Sequence, residues 1–195
     1  MFAVIFEVNP RPEAWDDYLA HAAMLRPELQ AIEGFIANQR YASLSRPGWL
    51  VSLSIWRDEK ALIRWRTHAL HHDIQGKGRA TVFANYHLRV GEIVTDTRAA
   101  QPLPQQRLDT TEVSAHKAVT ITERRLDAAP VLAEPDADTF DSITQPGDAL
   151  DLRAWPDPPS AEAGIAGLPG HHRVVRVIRD YGMFARTEAP QYFPP

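Results

Sequence analysis

Alternation of apolar and polar positions in the first half of the chain predicts β-strands. The segment FAVIFEV at 2–8 is rich in branched and aromatic residues, and it ends at NPRP, where asparagine and proline favour a turn. Two further alternating segments, GFIANQRYASL at 34–44 and RPGWLVSLSIW at 46–56, predict an antiparallel hairpin. The segment ATVFANYHLRVGEIV at 80–94 predicts a fourth strand.

Two stretches between these strands have the three- and four-residue spacing of an amphipathic helix. From Pro12 to about Ile32 one apolar stripe is expected, formed by Trp15, Tyr18, Leu19, Ala22, Leu25 and Leu29, with Pro27 as a kink or restart. A second helix is expected to begin after Asp58 as N-cap and to end at Gly76 and Gly78. The order strand, helix, two strands, helix, strand is that of a ferredoxin-like split βαβ unit.

In such a unit both helices cover one face of the sheet, and the opposite face needs a partner. That opposite face is expected to carry mixed polar residues, namely Glu7, Asn38, Arg40, Ser52, Ser54, Asn85, His87 and Arg89. They could form a satisfied polar interior or a binding surface, and Arg40 and Arg89 could hold an anionic substrate oxygen or pair within the protein.

The second half repeats this order in shortened form. A strand at 117–126, a hairpin at 138–155, a short helix at 158–170 and a final strand from 171 follow a Pro/Gln-rich segment, while LDAAPVLAEPDAD replaces the long first helix. The closest internal match is SIWRDEKAL at 54–62 against RAWPDPPSA at 153–161. We therefore predict an α+β fold with ferredoxin-like copies at 1–98 and 116–195, a linker at 99–115, and two sheets packed as one barrel.

Composition excludes several classes of function. The chain has no cysteine, so disulfides, thiolate catalysis and cysteine metal sites are excluded. The net charge of −4 gives no reason to expect nucleic acid as a partner. No apolar run approaches the roughly 20 residues of a membrane span, and the first residues lack a signal-peptide pattern, so a cytoplasmic protein without a membrane partner is expected.

The second predicted helix contains three histidines and a tryptophan in WRTHALHHDIQGKGR at 65–79. A regular helix would place Trp65 and His72 on the buried stripe, His68 beside it, and His71 on the flank. His68 and His72 could hydrogen-bond structurally, or one of them could act as acid, base or ligand-orienting group. A metal site is disfavoured because Ala69 stands where the zinc-protease motif has glutamate. The pair His171 and His172 is expected at the surface or at a sheet edge.

The segments FEVNPRPEAWDDYL, LRPELQAIEGFIANQRY, LVSLSIWRDEKALIRWRTHALHHDIQGKGR and YHLRV resemble, in this order, the antibiotic biosynthesis monooxygenase family of the dimeric α/β-barrel superfamily. Members of that family pair two copies as a homodimer. The resemblance therefore implies that a fused tandem makes the same barrel as an intrachain pseudo-dimer, with further homo-oligomerisation open. It also implies a substrate pocket between helices and sheet within one copy, towards which Trp65 points.

The resemblance implies an oxidoreductase that acts on a small aromatic or polycyclic phenolic molecule with O₂, without metal or other cofactor. Trp65 matches the family's helix tryptophan, but Ala61 replaces an expected asparagine, and an expected pocket tyrosine falls near His71. The haem-degrading branch is disfavoured, because Glu7 and Gln75 stand near its asparagine and histidine positions. The expected catalytic residues are His72, His68 and Trp65, and the expected substrate-binding residues are Trp15, Tyr18, Phe6 and Arg89. A non-catalytic small-molecule binder, or a haem-handling protein, is the alternative.

Overall fold

A computed structural model describes residues 1–190, so the last five residues of the predicted second copy lie outside the described part. The strands are β1 Phe2–Pro10, β2 Phe35–Ser43, β3 Leu50–Trp56, β4 Phe83–Asp96, β5 Ala118–Arg125, β6 Ala133–Glu134, β7 Ala137–Ser142, β8 Asp148–Trp155 and β9 His171–Gly182. The α-helices are α1 Trp15–Ala31, α2 Glu59–Arg66, α3 Ala69–Lys77 and α4 Pro158–Ile165. One turn of 3₁₀-helix precedes α1, another follows β5, and a π-helical turn, Gly78–Val82, follows α3.

Each half of the chain contributes four antiparallel strands to a barrel in the same spatial order, and the two-residue β6 pairs with β7 in addition. The first half is ordered β2-β3-β1-β4, and the second half has the corresponding order β7-β8-β5-β9. β4 pairs with β9, and β2 pairs with β7, so the eight strands close on themselves as a barrel. The predicted α+β fold of ferredoxin-like copies packed as one barrel is confirmed. The boundaries at 98 and 116 stay a prediction.

The apolar part of the barrel interior is built equally from both halves. One cluster of buried side chains fills it: Ala3, Ile5, Tyr41, Val51, Leu53, Ile55, Ile93, Val119, Ile121, Phe140, Leu150, Leu152, Val175 and Val177. Burial of apolar side chains from both sheets couples the stability of the halves, since neither sheet can expose this face without losing the hydrophobic contribution.

The expectation of a mixed polar face towards the partner sheet is wrong for β2 and β3. Val51 and Leu53 point into the barrel, whereas Ser52, Ser54 and Arg40 face the helices. In β1 and β4 the predicted direction is correct, because Glu7 and Arg89 are buried together on the barrel side. Strand alternation separates two faces but does not say which of them is covered by helices, and here the more apolar face of the hairpin lies between the sheets.

The second predicted helix is two helices rather than one. Asp58 is the N-cap of α2, as predicted, and its side chain accepts a hydrogen bond from the backbone N–H of Ala61 at 2.9 Å. The helix ends at Arg66, and His68, in an extended conformation, precedes α3. This break rotates α3 relative to α2, so the side-chain directions expected of one regular helix do not hold. Pro27, by contrast, lies within an uninterrupted α1.

The second half keeps the strands but not the long helices. The place of α1 is taken by a short 3₁₀ turn, Leu126–Ala128, and the loop that follows it. The α4 helix has eight residues and packs through Ala161 and Ile165 on the sheet. His171 and His172 are both 3% exposed, so the expectation of surface positions is wrong. His171 of β9 lies between the carboxylates of Asp96 on β4 and Glu123 on β5. These strands are neighbours in the sheet but far apart in the sequence, so residue spacing does not reveal the contact.

Candidate functional site

A cavity of about 1070 Å³ lies between the helices of the first half and the sheet. Its floor is the helix-facing side of β1 to β4, and its walls are α1, α2 and α3, with Tyr181 and Arg186 of the second half at one side. Most of the lining is apolar or aromatic, including Phe6, Leu25 and Phe83. A cavity of this size and character is typical of a small-molecule site.

Trp65 and His71 form a stacked pair in the helical wall of the cavity. Their rings are stacked, with centroids 4.1 Å apart and an angle of 15° between the ring planes. The Nδ1 of His71 lies 2.9 Å from the backbone carbonyl oxygen of Trp65. A carbonyl can only accept, so Nδ1 carries the proton and Nε2 is left as an acceptor in the neutral ring. Both side chains line the cavity.

Burial lowers the pKa of His71 to about 4, and the neighbouring His68 and His72 lower it further, against an opposing effect of the hydrogen bond to Trp65. His71 is therefore neutral around pH 7, and its stacked arrangement on the indole does not bring a charge into the cavity wall.

His68 and His72 occupy different environments. His72 lines the cavity. His68 stacks on Trp65 at a centroid distance of 5.9 Å, and its Nε2 lies 3.4 Å from a carboxylate oxygen of Glu28 on α1. The expectation that His71 is turned to the flank is wrong, because the break before α3 brings it against Trp65. The contact between His68 and Glu28 joins the start of α3 to α1.

Four of the seven side chains predicted for the site line the cavity, namely Phe6, Tyr18, Trp65 and His72. The other three do not. Trp15 packs in the apolar cluster behind Tyr18, and His68 lies against Glu28. Arg89 is buried in the barrel, where its Nη2 donates to Glu7 at 2.5 Å. It forms an internal ion pair on the opposite face of the sheet and does not reach a ligand in this cavity.

The polar part of the cavity floor was expected on the opposite face of the sheet. Asn38, Arg40, Ser52 and Ser54 all line it, and in the hairpin Asn38 stands opposite Ser54 while Arg40 stands opposite Ser52. The Nδ2 of Asn38 donates to Ser52 Oγ at 3.0 Å and to the carbonyl of Leu53 at 3.1 Å. These residues had been singled out as polar, and only their face was assigned wrongly. The signal that would have identified their face is the alternation of these polar residues with buried apolar residues along the same strands.

Within residues 1–190, no group of three or more His, Asp or Glu side chains is arranged to hold a metal ion. No helix in the same range is both long and apolar enough to cross a bilayer.

Comparison with known proteins gives matches along the whole chain. The family model of the antibiotic biosynthesis monooxygenases matches residues 1–77. A curated relative, the jasmonate monooxygenase ABM of Pyricularia oryzae, is 44% identical over 216 aligned residues that cover 100% of this chain and 99% of the relative.

Solved structures are similar at much lower identity. A proposed monooxygenase from Lactobacillus acidophilus is 8% identical and covers 92% of this chain and 94% of its own, with a TM-score of 0.44. The Rv0793 structure from Mycobacterium tuberculosis is 21% identical and covers 54% of this chain and 98% of its own, with a TM-score of 0.42. Both scores are low, so the description of the fold rests on the strand pairing alone.

Proposed function

The chain belongs to the antibiotic biosynthesis monooxygenase family, and we propose that it oxidises a small, largely apolar molecule with O₂ in the cavity beneath Trp65. A monooxygenase-like function is supported by the full-length relative. The cavity is the observation that carries the proposal further, because it offers a mostly apolar chamber of about 1070 Å³ next to ionisable side chains.

In this proposal no metal or flavin takes part, and the substrate supplies the electrons. A carbon acid, such as the CH₂ group of a polycyclic phenol of the anthrone type, loses a proton to a base, and the resulting carbanion reduces O₂. Oxidation of CH₂ to C=O releases four electrons, which reduce O₂ so that one oxygen atom enters the product and the other leaves as water. The protein then has to supply a base, exclude water and stabilise negative charge.

We assign the base to His72 rather than His71. Both line the cavity, but His71 is the weaker candidate, because burial lowers its pKa to about 4 and its Nδ1 proton is held by the carbonyl of Trp65. His71 then acts as a neutral positioning residue, fixed by its stack on Trp65 and its bond to the Trp65 carbonyl. His68 would position α3 through Glu28.

The test is O₂ uptake by metal-stripped protein with two substrates, an anthrone-type phenol and jasmonate, the latter suggested by the name of the full-length relative. Uptake in proportion to substrate, with incorporation of one labelled oxygen atom, is expected with one of them. His72→Gln should lower kcat strongly with little change in KM, whereas His71→Gln should change kcat less. Absence of uptake in metal-free protein, with recovery on adding a metal or flavin, contradicts the mechanism.

A non-catalytic binder is the second candidate. Ala61 stands at the position where the resemblance to phenol-oxidising members implies an asparagine. Binding of either molecule without O₂ uptake would favour it. A Soret band on mixing with hemin would instead favour a haem-handling role, against which the positions of Glu7 and Gln75 speak.

A further inference from the structure

The charge of the cavity lining is opposite to the charge of the whole chain. The chain has 21 Lys and Arg against 25 Asp and Glu, a net charge of −4. The described lining of the cavity nevertheless contains five arginines, Arg26, Arg40, Arg66, Arg79 and Arg186, and no Asp or Glu. From this asymmetry we infer that the cavity selects a largely apolar molecule that carries one anionic group, a carboxylate or a phenolate, held by Arg40. The inference deepens the proposed function by naming the substrate class.

Arg40 is the arginine placed deepest for this purpose. It comes from β2, on the floor of the cavity, and its side chain is only partly exposed. Its Nε is buried and has no hydrogen-bond partner, and none of the five arginines forms an ion pair with a described carboxylate. A buried guanidinium donor without an acceptor is costly, and an incoming carboxylate would satisfy it with a charge-assisted hydrogen bond. The planar guanidinium also matches a carboxylate in geometry.

The surroundings of Arg40 favour an anion with an attached apolar body. The Tyr18 hydroxyl accepts a hydrogen bond from the Arg40 guanidinium. Burial raises the pKa of Tyr18, so the hydroxyl stays neutral at physiological pH, is no counter-ion, and keeps its own proton to donate to a ligand. Ser52 stands opposite Arg40 in the hairpin and adds a second hydroxyl. Beyond this polar patch the lining is apolar and aromatic, including Phe6, Leu25 and Phe83, which suits the remainder of the ligand.

The other four arginines differ from Arg40. Arg26, Arg79 and Arg186 are exposed, and Arg66 is partly exposed on α2. Water can satisfy exposed guanidinium groups, so these residues would raise the local concentration of anions and speed their entry more than they would hold a bound one. Arg40 is therefore the residue whose loss should separate anionic from neutral ligands.

A pair of fluorescent probes tests this inference independently of O₂ chemistry. Anilinonaphthalene sulfonate and N-phenylnaphthylamine share one aromatic skeleton, and only the first carries an anionic group. Wild-type protein should bind the anionic probe more tightly, and naphthoate should displace it at a lower concentration than methyl naphthoate does. Arg40→Met should weaken the anionic probe at least about tenfold and leave the neutral probe unchanged, since one charge-assisted bond is lost.

Two further variants make the result specific. Arg40→Lys keeps the charge and should retain part of the preference, whereas Arg64→Met removes an exposed charge of α2 that does not line the cavity and should change nothing. Equal binding of both probes by wild-type protein, or equal loss of both in Arg40→Met, overturns the inference. If Arg40→Met does not fold, the wild-type probe pair and Arg40→Lys still decide.

The binding result and the proposed activity can fail separately. Anion-selective binding through Arg40 without O₂ uptake from any bound carbon acid leaves the inference standing and removes the monooxygenase proposal. Oxidation of neutral and anionic substrates at equal kcat/KM leaves the monooxygenase proposal standing and removes the inference.

Discussion

The two halves of the chain share one strand-to-helix junction but differ in the helices that follow it. In each half a strand ends in a tryptophan, and an aspartate two residues later caps the next helix: Asp58 accepts from Ala61 N–H at 2.9 Å, and Asp157 accepts from Ser160 N–H at 2.7 Å. In the first half the helical layer continues through α2, α3 and the long α1, and it encloses a cavity. In the second half it ends after the eight residues of α4.

In the second half the corresponding place is taken by other contacts: Trp155 packs against α4, and Arg124 holds the loop after β5 by hydrogen bonds. Trp155 lies against Gly164 of α4 so closely that a Cβ on that glycine would be 2.1 Å from the indole ring. The loop that replaces α1 is held by Arg124, whose guanidinium donates to the carbonyls of Arg125, Leu126 and Pro130. Barrel closure needs all eight strands, whereas an internal chamber needs only one set of long helices. The comparison therefore separates a first half that supplies most of the cavity from a second half that closes the barrel and adds only Tyr181, Arg186 and Pro190 to the described lining.

The largest expected loss of stability comes from removing Arg124, which holds the loop after β5. Arg124 is buried and forms a two-point ion pair with Asp151, at 2.6 and 3.0 Å. Arg124→Met leaves the carboxylate of Asp151 buried with only Thr139 as donor, so the free energy of unfolding should fall by about 3–5 kcal/mol. Urea denaturation followed by circular dichroism measures this.

Arg125→Met is the matched control, because Arg125 is the neighbouring residue but its side chain is 62% exposed in its pair with Asp148. A loss of at most about 1 kcal/mol is expected there. Folded Arg124→Met protein should still bind the anionic probe with wild-type affinity. A large loss of probe affinity in folded Arg124→Met protein would show that the loop after β5, which contributes no lining residue, nevertheless shapes the cavity, and the division of roles would be wrong.

Most of the fold could be predicted from the sequence, because strand alternation and the repeated order of elements are local signals. The hairpins, the Asp58 cap and the shortened helix of the second half were found in this way. The break at His68 was not, since no proline or glycine marks it. The hydrogen bond between His71 and the Trp65 carbonyl and the stack of the two rings stabilise a turn that propensity alone does not predict.

The site was predicted in part, and its errors have two causes: the break before α3, which brings His71 against Trp65, and the choice of sheet face for the arginines. Phe6, Tyr18, Trp65 and His72 were placed by helical and strand periodicity, and these four line the cavity. Arg40 and Arg89 differ only in the face of the sheet on which they lie, and the choice depends on which face the helices cover. That choice is made by tertiary packing between the two sheets, which a single-strand pattern does not contain.

The pH dependence of stability sharpens the comparison, because it separates the helical wall of the cavity from the rest of the molecule. The pKa of His71 is lowered to about 4 in the folded protein, from an ordinary value of 6.5. Between these two values the unfolded chain binds more protons than the folded one, so stability is full above about pH 6.5 and is lost as the pH falls towards 4. The contribution of this one group should reach about 3 kcal/mol.

The measurement is urea denaturation at intervals from pH 7 to pH 4 for the wild type and His71→Gln. Glutamine cannot titrate, so the variant should be less sensitive to acid in this range, and the difference between the two curves isolates His71. Parallel curves would show that His71 is not held neutral by burial, and its assignment as a neutral positioning residue would fail.

A smaller effect is expected from adding one methyl group to the packed helix of the second half. Gly164→Ala places a Cβ within 2.1 to 2.9 Å of three ring atoms of Trp155, which must move. Trp155 Nε1 donates to Thr120 Oγ1 at 3.0 Å, and displacement of the ring weakens that bond as well. Unfolding should become easier by about 1–3 kcal/mol, measured by urea denaturation with tryptophan fluorescence as a second readout. Unchanged stability would mean that α4 is not tightly packed.

The same substitution in the cavity half should have the opposite sign. Gly76 lies within α3, and a Cβ added there meets no atom within 4 Å. Alanine restricts the unfolded chain and favours helix, so Gly76→Ala should stabilise the protein by about 0.5–1 kcal/mol. Anionic probe binding should be unchanged, because Gly76 does not line the cavity. Stabilisation by Gly76→Ala together with destabilisation by Gly164→Ala would show a difference in packing. The α3 helix beside the cavity would have room for an added methyl group, and α4 of the second half would not. If both variants lose stability, α3 has no room for the added methyl group despite the open space around Gly76. The halves would then differ only in the length of their helices.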